Sequence, residues 1–105
     1  MNNLQWLQKW YLNQCDGDWE HDFGIHIDTL DNPGWRIKIN IACTDLEYKF
    51  FKEIEMERSD NDWIHCSIKD LMFKGFCGPE NLDELIKIFR DWVENNSNAR
   101  SKATT

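Results

Sequence analysis

Between Trp10 and Trp35 the chain has no lysine and no arginine, yet six acids fall there: Asp16, Asp18, Glu20, Asp22, Asp28 and Asp31. With a net charge of −7 over 105 residues, this gap argues against a nucleic-acid-binding or anionic-membrane-binding surface. Long apolar runs are also missing, and nothing approaches the roughly 20 residues that cross a bilayer. The opening MNNLQWLQKW lacks the basic-then-apolar order of a secretory signal, so the fold is expected to start there and the protein to be cytoplasmic. Cysteine is sparse and irregularly spaced. Cys15, Cys43, Cys66 and Cys77 contain no C-x2-C pair, and nothing points to an oxidising compartment, so all four are read as thiols. There is no glycine-rich phosphate loop and no G-x-S-x-G.

What is present suffices for a single core. Six tryptophans and six phenylalanines bring large apolar areas to one domain, expected over residues 1–94. Residues 3–14 have helical spacing, with Leu4, Leu7, Tyr11 and either Trp10 or Gln14 on one face. FGIHIDTL (23–30) and WRIKINIA (35–42) alternate strictly and read as a hairpin around DNPG. Their apolar residues are odd-numbered in both strands, and directly opposed residues share a face. The connecting loop must therefore hold an odd number of residues, three or five, with Asp28 near Lys38. Further strands are predicted at 52–58 and 63–70, with a short fifth one possible at 71–76. Asn81 and Glu84 form a near capping box ahead of a stripe of Leu82, Leu85, Ile86, Phe89, Trp92 and Val93. Residues 95–105 have no apolar anchor and are expected to be a disordered polar tail.

The expected fold class is α+β: an antiparallel sheet of four to five strands, with an N-terminal and a C-terminal helix packed on one face. The other face would carry His26, Asp28, Arg36, Lys38, Asn40, Glu53, Glu55, Glu57, His65 and Lys69. It is either open to water or the seat of a partner.

The densest chemistry is CDGDWEHD, Cys15 to Asp22. Zinc would need paired ligands at short spacing, which Cys15, His21 and His26 do not offer. The calcium pattern fails because Gly17 falls between the first two aspartates. Cys66 and His65 are strand neighbours on opposite faces and cannot form a nucleophile pair. No metal, cofactor or catalytic residue is assigned, and an enzyme is not expected. The residues assigned to partner binding are Asp16, Asp18, Trp19, Glu20, His21, Asp22, Asp28 and Asp31. Trp19 has two readings, a plug that pins the acidic loop or an aromatic anchor within an acidic rim.

WLQKWYLNQCDGDWEH, GIHIDTLDNPGW, NDWIHC and GPENLDELIKIFRDW together resemble the immunity protein 53 family of bacterial polymorphic toxin systems. The resemblance runs from about Leu4 to Trp92. Cys77 departs from it, standing where a small residue such as glycine is expected. Membership implies a small cytoplasmic protein, encoded beside a toxin gene, that binds and neutralises the toxin domain with no cofactor and no catalysis. A basic toxin suits the acidic loop, and the binder would be a monomer or a weak homo-oligomer. The competing reading is a small-ligand or metal-dependent enzyme with the Cys15–Asp22 loop lining its pocket.

Overall fold

Cap chemistry sets where the first helix begins. Asn2 Oδ1 accepts from the Gln5 amide at 2.7 Å, and Gln5 Oε1 accepts from the Asn2 amide at 3.2 Å, a reciprocal capping box. In the computed structural model, which describes the backbone of residues 1–104 and the side chains of residues 1–96, α1 spans Asn3–Gln14. This is the helix the periodicity predicts, but its inward stripe is rotated. Leu7 and Trp10 are buried and Trp6 is partly so, whereas Leu4 and Tyr11 are exposed. The cause is that α1 lies alongside the last helix. Its indoles turn towards Phe89, with ring centroids 6.0 Å (Trp6) and 5.1 Å (Trp10) away.

After a short α2 (Trp19–Asp22), the strands are β1 (Ile25–Leu30), β2 (Gly34–Asn40), β3 (Ile54–Ser59), β4 (Asp62–Lys69) and β5 (Met72–Cys77). The last helix, α3, spans Leu82–Thr104. All pairings are antiparallel, in the order β1-β2-β5-β4-β3. The fold is α+β, with five strands and a helix at each end of the chain.

The first hairpin has the expected odd loop. Ile25 opposes Ile39, Ile27 opposes Ile37, and Leu30 opposes Gly34, which leaves a three-residue loop of Asp31, Asn32 and Pro33 with a cis Asn32–Pro33 bond. Asp28 lies opposite Arg36, which it binds, while Lys38 opposes His26 and is only diagonal to Asp28.

The helix side of the sheet presents Ile37, Ile39, Ile64, Cys66, Phe73 and Cys77, all buried, to Leu85, Ile86, Phe89, Trp92 and Val93 of α3. Gly75 sits at the closest approach. A Cβ there would lie 2.6 Å from Leu85 Cδ1 and 2.9 Å from Ile37 Cγ2, so only a residue without a side chain lets the helix seat this closely. All four cysteines are free. Burial pushes the Cys66 thiol up to about 12 and the Cys77 thiol up to about 11.

Asn81 precedes α3 as expected, and its carbonyl accepts the Leu85 amide at 2.9 Å. Its side chain is used chiefly elsewhere. Oδ1 accepts the Trp63 amide at 3.2 Å, and Nδ2 donates to Asp62 at 3.0 Å and to Glu84 at 3.4 Å. Arg58 completes the knot by donating to Asp62 at 2.9 Å and Glu84 at 2.6 Å, which ties the β3–β4 turn to the start of α3.

These bonds to Arg58 hold the Asp62 and Glu84 carboxyls below their ordinary range. A carboxylate lowered in the folded state contributes stability that is full above its unfolded pKa, about 4, and is lost as pH falls through the folded value. Acidification below about pH 4 is therefore expected to lower Tm, and Arg58→Gln should flatten that acid limb, measured as Tm against pH.

The helix continues past Glu94, the expected end of the domain. Residues 97–105, most of the expected disordered tail, lie outside the described side chains.

Candidate functional site

The loop after α1 is built by its own carboxylates. Asp16 Oδ1 accepts the amides of Asp18 and Trp19, both at 3.0 Å. Glu20 reaches back to accept the amides of Asp16 and Gly17, both at 3.0 Å. Gly17 has φ +98°, a left-handed conformation that a side chain would strain. These contacts hold both carboxyls below their ordinary values, Asp16 through the Trp19 and Asp18 amides, Glu20 through its own amide and then those of Asp16 and Gly17.

Trp19 sits at the base of the loop. It is 5% exposed, its indole Nε1 donates to the Ala42 carbonyl at 2.9 Å, and its ring meets Trp10 and Tyr11 edge-on. The aromatic-anchor reading of Trp19 is thus replaced by the plug. A side chain committed to the core and to a backbone carbonyl is not available to grip a partner.

The eight residues assigned to partner binding therefore divide. Trp19 is buried, Asp16 and Glu20 shape the loop, and Asp18, His21 and Asp22 are exposed. Asp28 is on the open sheet face, with its carboxylate lowered chiefly by the hydrogen bond from Arg36. Asp31 is exposed in the hairpin loop at the far end of β1. Six strand residues at about 3.3 Å each separate it from the acidic loop by about 20 Å. The structure does not gather these acids into one patch.

The open sheet face is less polar than its predicted residues. Trp63 lies on it with His65, at 5.5 Å between ring centroids, and Phe76 stands between His65 and Arg36 in the strand register. These rings, with Leu30, Asn32, Glu57, Arg58, Ser59 and Asp60, line an open cleft of about 720 Å³. The signal for it is parity. Ile64, Cys66 and Ile68 face inward, which turns Trp63 outward. Phe73, Gly75 and Cys77 do the same for Phe76, once β5 is accepted as a strand. A second feature that alternation misses is the irregular segment before β3, which leaves Tyr48 92% and Phe50 83% exposed.

Among the described residues, the only trio with ligand atoms within 4.8 Å of one another is Glu55, Glu57 and His65 on β3 and β4. It could hold a cation, but it lies outside the Cys15–Asp22 loop. No helix among the described residues is long and apolar enough to cross a membrane.

A family model described as Immunity protein 53 matches residues 4–94. No curated protein and no solved structure matches the chain.

Proposed function

The chain belongs to the Immunity protein 53 family, and on that premise we propose that it neutralises a cognate toxin domain by binding it, without transforming a substrate. The observation that supports a binding role is the mounting of the acidic loop. Trp19 pins its base, Asp16 and Glu20 stiffen its backbone, and Asp18, His21 and Asp22 are left facing solvent. Charges presented on a preordered loop pay little conformational entropy on binding. They also raise the encounter rate with a basic surface, where speed matters most for an inhibitor. The partner is accordingly a basic toxin domain, met in the cytoplasm by a chain that works as a monomer or weak homo-oligomer. Asp28 and Asp31 contribute to the same field from the other end of β1.

Co-expression with the toxin domain encoded beside this gene tests the proposal, and rescue of growth is expected. The sharper variant is Asp18→Lys with Asp22→Lys, which leaves the structural carboxylates Asp16 and Glu20 in place. At low salt its association rate with that toxin domain should fall about tenfold or more. Tm should stay within about 2 °C, because neither side chain is buried. Unchanged association at low salt would remove the acidic loop from the interface.

A further inference from the structure

We infer that the cleft on the open sheet face seats an arginine or lysine side chain of the toxin, a contact that rests on the toxin-binding reading above. A missing side chain shapes the cleft. Gly34 opposes Leu30 in the hairpin, and a Cβ on it would collide with the Cys77 carbonyl oxygen and come within 3.3 Å of Trp63 Cζ2. The hollow therefore lies between Leu30 and Trp63, with Phe76 in its lining.

The charges decide the occupant. Three charged side chains line the cleft: Glu57, Arg58 and Asp60. Arg58 is already committed to Asp62 and Glu84. Among the described residues Glu57 meets only His65, at 3.2 Å, and Asp60 meets no partner. Glu55 adds a further carboxylate opposite His65. The charge left over is negative, so an anion is repelled, and an apolar side chain would desolvate Glu57 without compensation. A guanidinium satisfies both requirements, stacking on the half-buried rings of Trp63 and Phe76 while pairing with Glu57.

Three of the six indoles donate to a backbone carbonyl, and among the described residues Trp63 is one of the three, with Trp6 and Trp10, that do not. The indole N–H groups of Trp19, Trp35 and Trp92 each donate to a backbone carbonyl. The Trp63 indole donates to none among the described residues, so its ring edge is free for a partner.

The test uses the full chain and the toxin domain encoded by the neighbouring gene, with affinity read by calorimetry. Glu57→Gln is expected to weaken binding about tenfold, Glu57→Lys about a hundredfold and Trp63→Leu at least tenfold, each with Tm recorded. Glu57 is exposed, so the two Glu57 variants keep the test decisive if Trp63→Leu fails to fold. Unchanged or tighter binding by Glu57→Lys overturns the cation. Loss in Trp63→Leu alone overturns it in favour of an apolar occupant. If the native chain binds the toxin domain and all three variants bind equally well, the cleft lies off the interface and only this inference falls. If the native chain does not bind that domain, the toxin-binding reading falls with it.

Discussion

Phe89→Ala is expected to lower the free energy of unfolding by about 3–5 kcal/mol. Phe89 has no exposed surface and stands where α1, α3 and the sheet meet. Its ring centroid is 5.1 Å from those of Trp10 and Phe73, and 6.0 Å from those of Trp6 and Trp92. Removing it leaves a void walled by four rings on three elements, and rings held by separate elements collapse poorly into a hole. In a domain whose total stability is of the order of 5–15 kcal/mol, that is about a fifth or more of what holds the fold. Phe89→Leu, which fills most of the volume, should cost under about 2 kcal/mol. Urea denaturation of both variants measures the difference. A loss below about 1 kcal/mol for the alanine variant would mean that α3 does not seat on the sheet as described.

Trp19→Ala carries the second large effect and couples folding to binding. The ring is buried, so truncation should cost about 3–5 kcal/mol, and it strands the Ala42 carbonyl that Trp19 Nε1 now satisfies. Trp19→Phe separates the two contributions. It keeps most of the apolar burial and loses the indole hydrogen bond, for about 1–2 kcal/mol. Because Trp19 anchors the acidic loop, both variants should also slow association with the toxin domain, although neither removes a charge. Were Trp19 a direct contact, truncation would weaken binding and leave Tm unchanged. Denaturation and association kinetics on the same two variants therefore distinguish plug from anchor.

The features legible in the sequence were those set by local periodicity and parity. Odd-numbered isoleucines in both arms of the first hairpin required an odd loop, and three residues form it. The apolar stripe from Leu82 to Val93 gave α3 its inward face. Alternation assigns faces but not neighbours, so the insertion of β5 between β2 and β4 was beyond its reach. For the same reason the spacing of the acids over residues 16–31 does not show how far apart they lie, and the length of β1 separates Asp22 from Asp31. Trp19 was ambiguous because its deciding partner, Ala42, lies 23 residues away. Asn81 matched a helix-cap pattern, yet its side chain is claimed by Asp62 and Trp63 of a distant strand. The aromatic cleft needed the strand assignment of MFKGFC and the outward parity of Trp63 to be combined, and neither alone names a site.

Protection is expected to come from occupancy of the toxin by this chain. The direct measurement is titration of the purified toxin domain with the chain, following residual toxin activity and, by light scattering, the mass of the complex. Inhibition should rise linearly and saturate at one chain per toxin domain, with a complex of matching mass from which active toxin is recovered on dissociation. Complete inactivation by a small fraction of an equivalent, with toxin that stays inactive once the chain is removed, would show that the chain acts by turnover and not by occupancy.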